Sequence, residues 1–189
     1  MQVKEYLYTC EYGEEVALCD GVKAVFTDAG HLLGSASITL TLTEGDVTKT
    51  IVFSGDIGNM RQPIIRDPVL LHRADYVVME STYGDREHNE VPSYTEGLAA
   101  VIDETLGKGG NVVIPSFAVG RTQELLYFIR EIKEKGMVHS VPNFPVYIDS
   151  PLAREATEVF SGDLRGYLDE EAIALVQSGV NMFTFPGMR

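Results

Sequence analysis

The sequence is short of cysteine, histidine and positive charge, and each shortage closes off a class of protein. Two cysteines in 189 residues, Cys10 and Cys19, cannot build a disulfide scaffold. Neither falls in a CxxC or other metal-ligand spacing, so both read as ordinary semi-buried thiols of a reducing compartment. No apolar run approaches the ~20 residues needed to cross a bilayer. The opening Met1-Gln2-Val3-Lys4-Glu5 lacks the apolar stretch of a secretion signal. A cytoplasmic protein with no membrane partner is expected. Lys and Arg number 15 against 28 Asp and Glu, a net charge of −13. That balance argues against a protein that grips nucleic acid by bulk charge, because phosphate contacts supply most of such affinity. Bound metal ions that reverse the local field, or a basic part elsewhere, remain compatible with a polyanionic substrate.

What is present is a foldable chain. Hydrophobic residues make up 44%, enough for a buried core, and there are no repeats or low-complexity tracts. Val16 to Leu18 and Val22 to Thr27 read as strands around a turn at Asp20-Gly21. Ser37 to Thr43 alternates polar and apolar residues, which predicts a strand with one buried face. Thr50 to Phe53 returns as its partner, so residues 1–56 read as an antiparallel meander. The pattern then changes. Tyr76-Val77-Val78-Met79 is a continuous apolar run, as in a strand buried on both faces. Asn111 to Ile114 and Val146 to Ile148 read as further strands. Helices are predicted over 93–106, with Ser93 and Glu96 as a capping box, over 122–135, ended by Gly136, and over 152–160. Strand and helix alternate, which implies an α/β fold with a partly parallel sheet.

Three polar residues stand where apolar strands end: His31 in Asp28-Ala29-Gly30-His31-Leu32-Leu33-Gly34-Ser35, Asp56 in Phe53-Ser54-Gly55-Asp56-Ile57-Gly58, and Glu80 in Glu80-Ser81-Thr82-Tyr83-Gly84. Strand ends are where open sheets place functional groups. Imidazole and carboxylate are suitable zinc donors, and the flanking glycines let backbone approach an ion closely. Each residue also has an ordinary reading. Taken alone, His31 reads first as a hydrogen-bonded structural histidine and Asp56 as a turn residue, while Glu80 reads equally as a cap on the next turn.

Taken together, the three segments resemble the metallo-β-lactamase superfamily, and within it the β-CASP branch of nucleic-acid-processing nucleases. The His31 segment is similar to the third metal motif of that family, the Asp56 segment to the fourth, and the Glu80 segment to the acidic motif that marks the branch. Pro115-Ser116-Phe117-Ala118-Val119-Gly120-Arg121-Thr122-Gln123-Glu124-Leu125 resembles the run that leads into the β-CASP insert, and Asp149-Ser150-Pro151-Leu152-Ala153 its next strand-to-helix junction. The resemblance covers the chain from about residue 12 onward. It implies two zinc ions and hydrolysis of a phosphodiester. His31 then ligates one zinc and Asp56 bridges both. Glu80 orients a histidine, beyond Arg189, that protonates the leaving oxygen. Ser81 and Tyr83 support that loop or touch substrate. Arg121, following Gly120 at a helix start, holds a backbone phosphate or makes a local salt bridge.

The chain departs from the family in its ligand set. The His-x-His-x-Asp-His motif that supplies the first zinc donors is absent, and the histidines are His31, His72, His88 and His139. His72 reads as a surface helix residue, His88 as part of a solvated charged loop, and His139 as a linker residue. An internal fragment is therefore expected. Residues 1–116 would form part of a metallo-β-lactamase β-sandwich with outer helices, and residues 117–189 the start of a β-CASP domain. The isolated chain should be weak or inert as an enzyme. The implied partner is RNA, with DNA the less favoured substrate. The alternatives are a non-catalytic β-CASP scaffold or a DNA-processing relative. A small-molecule hydrolase of the superfamily lacks the insert that begins near Ser116. An uncovered strand edge makes a homodimer conceivable.

Overall fold

The computed structural model describes residues 3–87, 93–162, 164 and 166–189. They divide into two units, Met1–Asp85 and Arg86–Arg189. His88 lies outside the described residues.

Tight reversals build the first unit. β1 (Glu15–Cys19) and β2 (Val22–Asp28) turn at Asp20-Gly21. Gly21 takes φ +74°, and a Cβ there would meet the Thr43 carbonyl oxygen at 2.4 Å, so this turn requires glycine. β3 (Ala36–Glu44) and β4 (Val47–Phe53) turn at Gly45-Asp46. All three pairings are antiparallel, with Phe26 opposite Ile38 and Leu40 opposite Ile51. The expected meander is therefore present. After an excursion through residues 54–75, β5 (Tyr76–Val78) returns parallel to β4, Val52 opposite Val77, giving the order β1-β2-β3-β4-β5. Asp75 pins the start of β5. Its carboxylate accepts the Thr50 N–H at 2.8 Å and the Lys49 ammonium at 3.0 Å. Those two donors hold it below the usual carboxylate range.

All four α-helices among the described residues belong to the second unit: α1 (Tyr94–Gly107), α2 (Arg121–Glu134), α3 (Pro151–Phe160) and α4 (Glu170–Gln177). Three start on side-chain caps. Ser93 Oγ accepts from Glu96 N–H, Ser150 Oγ from Ala153 N–H, and Asp169 Oδ1 from Ala172 N–H. The three predicted helices form within a residue or two of their expected bounds. α4 was not foreseen, although Asp169-Glu170-Glu171 is a good acidic start. Ala99 and Ile102 of α1 pack on Ile129 and Ile132 of α2, and Val138 and Phe144 close this core. None of these helices is long and apolar enough to cross a membrane.

Several expectations are corrected. Residues 76–79 are not buried on both faces: Val77 is 59% exposed, because β5 has β4 on one side and no described layer over its faces. β3 shows no clean alternation, with Ser37 buried and residues 38–42 half-buried, for the same lack of cover. Asn111 to Ile114 runs without ladder partners, and Val113 is 86% exposed. Val146 to Ile148 makes a single parallel bridge, Val146 with Met188. His72 lies in irregular chain, since Pro68 interrupts the backbone just before it. Cys10 and Cys19 are exposed, one outside regular structure and the other closing the edge strand β1. His139 is in the α2-to-146 linker as expected, and its N–H donates to Asp103 Oδ1 at 2.8 Å.

Ile132 has no exposed surface. Ile132→Ala is expected to cost about 3 kcal/mol in urea unfolding followed by the helical circular dichroism signal. Leu152→Ala, at a position 59% exposed, should change it by about 0.5 kcal/mol or less.

Candidate active site

Strand direction gathers the three sequence motifs. β2 and β4 both run antiparallel to β3, and β5 runs parallel to β4. The C-terminal ends of β2, β4 and β5 therefore lie at one end of the sheet. Each releases one motif there: Asp28–Ser35, Ser54–Gly58 and Glu80–Gly84.

Backbone contacts lock the first two loops together. The Gly58 N–H donates to the Ala29 carbonyl at 2.8 Å. A Cβ on Gly58 would land 1.7 Å from the Gly30 carbonyl oxygen and 2.7 Å from the His31 nitrogen, and a Cβ on Gly30 would meet the Pro68 nitrogen at 2.4 Å. The Gly30-His31 peptide is thus held between Gly58 and Pro68, at a distance only bare backbone allows. Ser35 completes the turn from inside, its Oγ accepting the N–H groups of His31 and Leu32, both at 3.1 Å. Asp28 is buried and accepts the Gly30 N–H at 2.9 Å, while Arg66 donates to its other oxygen at 3.0 Å. A buried carboxylate needs such a partner.

The third loop is tied to the second by Glu80. Its Oε1 accepts the N–H of Ile57, the residue after Asp56, at 2.5 Å. The Glu80 N–H in turn donates to Ser54 Oγ at 3.0 Å, and Ser37 Oγ donates to the Ser54 carbonyl at 2.7 Å. The Ile57 N–H holds the Glu80 carboxyl below its ordinary range, helped by the Thr82 hydroxyl and the nearby His31 and opposed by partial desolvation. His31 is half-buried and Asp56 exposed at the mouth of these loops. Ser81 is exposed, and its carbonyl accepts the Gly84 N–H at 2.9 Å. Tyr83 sits at φ +59°, a strained setting for an aromatic residue.

Arg121 belongs to the second unit. It opens α2 after Gly120 and donates to Glu124 Oε2 at 2.5 Å, with its own side chain 61% exposed. Of the two roles left open for it, the local ion pair is the one formed. Burial pushes the Glu124 carboxyl up, and Arg121 opposes this. Beneath them, the fully buried Gln123 accepts the Gly120 N–H at 2.7 Å and donates to Thr157 Oγ1 at 2.9 Å, fastening the start of α2 to α3. Sequence reasoning missed Arg66 and the bonding roles of Ser54 and Gln123, which act through their neighbours.

His31 and Asp56 are of the right chemistry for zinc. Among the described residues, however, no three His, Cys, Asp or Glu side chains are grouped to hold an ion. These residues fit part of a zinc donor set and not a complete one, since each ion takes about four donors.

Residues 122–189 match the Beta-Casp domain. Those residues are part of a Beta-Casp domain, and the chain as a whole is similar to proteins named as ribonucleases. It is 37% identical over 97% of its length to Ribonuclease TTHA0252 of Thermus thermophilus, covering 40% of that protein. It is 32% identical over 95% of its length to an RNase J-like protein of Methanocaldococcus jannaschii, covering 41% of it. It is 33% identical over 92% of its length to the transcription termination factor FttA of Methanosarcina mazei, covering 27%. The chain therefore spans well under half the length of these relatives.

Two outcomes test the geometry. Gly58→Ala should destabilise the chain by about 2 kcal/mol or more and displace the His31 amide resonance; a variant matching wild type in both would contradict the contact. For Glu80, a folded-state pKa below the ordinary 4.5 means its hold on Ile57 is complete above that value. The hold is lost as pH falls through the lower folded value. The Ile57 amide proton should titrate with a midpoint below 4.5, and Glu80→Gln should abolish that titration.

Proposed function

We propose that this chain is part of a metal-dependent phosphodiesterase that cleaves RNA. It contributes one side of the metal site and the opening of the β-CASP domain, with the junction between residues 116 and 117. The observation that supports this reading most is the lacing of the His31, Asp56 and Glu80 loops at one end of the sheet. Such bonding fixes an imidazole and two carboxylates on rigid backbone, as a preorganised site requires. The relatives' names, a ribonuclease and an RNase J-like protein among them, favour RNA over DNA.

In this reading His31 and Asp56 would hold zinc together with donors outside the 189 residues. Zinc, when bound there, would supply Lewis acidity toward water and toward the phosphate. Glu80 keeps the Asp56 turn in place through Ile57 and presents a carboxylate toward the site's remaining histidine. Ser81 and Tyr83 touch substrate at the Glu80 loop. In the second unit, Arg121 takes up a backbone phosphate by exchanging Glu124 for it. The protein works in the cytoplasm, and its uncovered β5 edge permits pairing with a second copy.

With a partial donor set, the isolated chain should retain almost no zinc after dialysis, by elemental analysis, and should leave labelled RNA intact. In a protein that supplies the remaining donors, Asp56→Ala should reduce cleavage by about 10³-fold or more. Robust zinc-dependent cleavage by the isolated chain would sink the partial-site reading. Cleavage indifferent to Asp56 in the completed protein would sink the active-site assignment.

A further inference from the structure

We infer that Arg61 binds a phosphate of the RNA backbone beside the loops that carry His31 and Asp56. This deepens the function proposed above and rests on it. Between residues 1 and 85 there are six Lys and Arg against thirteen Asp and Glu. A polyanion approaching the site therefore meets an unfavourable field unless a cation stands close by. Few of the six are available. Lys23 is paired with Glu15, Lys49 with Asp75, and Arg66 with the buried Asp28. Lys4 lies in the opening turn, Val3–Tyr6. Arg73 precedes β5, at the end of the sheet opposite Glu80. Arg61 remains. It is exposed and has no acidic partner among the described residues.

Its loop is anchored at the candidate site. Arg61 follows Asp56 by five residues. The segment from 58 to 69 is hooked at both ends onto the residues before His31, through Gly58 N–H to Ala29 at 2.8 Å and Val69 N–H to Asp28 at 3.0 Å. Pro68 lies against Gly30. Arg61 is also strained, its φ being +59°, a region where glycine or asparagine folds at lower cost. Asp67 holds the turn by accepting the Arg61 N–H at 2.5 Å, and this leaves the guanidinium unspent. A charged side chain kept in a costly backbone setting, free of partners among the described residues and next to a site for a phosphodiester, is what an anion contact requires.

The test is fluorescence anisotropy of a labelled single-stranded oligouridylate with the 189-residue chain, titrated between about 50 and 200 mM salt. Arg61→Ala and Arg61→Gly should each weaken binding on the order of fivefold at the low end and reduce the salt slope by about 0.7, one phosphate contact to a single strand. Arg61→Lys should keep the slope, because a lysine also binds phosphate as a point charge. Arg61→Gly relieves the strained φ, so its melting temperature should equal or exceed that of wild type while its RNA binding falls. A merely structural role predicts the opposite pairing. A wild-type slope in Arg61→Gly, a loss in Arg61→Lys as large as in Arg61→Ala, or no RNA binding by the wild-type chain would each overturn the inference. Zinc content and RNA cleavage decide the enzymatic reading separately.

Discussion

Contact between Gly58 and the Gly30-His31 peptide sets the spacing of the two loops that hold the candidate ligands. The approach is closer than any side chain permits, with a Cβ position 1.7 Å from a carbonyl oxygen. Much of the site's order follows from it. Gly58 donates to Ala29, so the turn bearing Asp56 cannot slide along the turn bearing His31. Pro68 closes on Gly30 from another direction, and this brings Arg66 to the buried Asp28. Glycine here is a steric requirement, which is a stronger constraint than its conformational freedom alone.

Glu80 adds the third loop without using up its carboxylate. A carboxylate has about four acceptor positions. The Ile57 N–H and the Thr82 hydroxyl occupy some of them. The remainder can meet a histidine, as the family resemblance implies, while the Ile57 bond keeps the neighbouring Asp56 turn fixed. Structural and chemical duties on one residue are therefore compatible. The depressed proton affinity of Glu80 is the electrostatic mark of the first duty, since the donors that position it also favour its charged form.

That the three candidate residues follow strand ends was more legible in the sequence than the packing around them. His31, Asp56 and Glu80 stood out because each ends an apolar strand, and strand ends are recorded locally in residue type and order. The meander was readable for the same reason, with turns at Asp20-Gly21 and Gly45-Asp46 between strands of period two. Cover was not readable. Tyr76 to Met79 has the composition of a strand buried on both faces, yet burial depends on what packs against it, and the described residues supply no second layer there. Asn111 to Ile114 failed likewise for want of ladder partners. Arg66 left no local signal, because its meaning lies in a contact with Asp28, 38 residues away; Gln123 is legible three residues after Gly120 as a helix-start residue, but its bond to Thr157, 34 residues on, is not.

Net charge misleads for a chain of this kind in a way that the distribution of ion pairs does not. At −13 the sequence argues against a polyanionic substrate, and the argument holds for binding by diffuse attraction. It fails for binding at a point. Screening confines the reach of exposed charges to about 10 Å at ordinary salt, so the field at the mouth of the loops is set by the few groups standing there. An acidic surface also discourages unproductive binding of nucleic acid elsewhere on the molecule. On that account the acidity restricts where a polyanion could dwell, and an arginine with no ion-pair partner among the described residues has more influence on the field beside the Asp56 turn than the whole-chain charge.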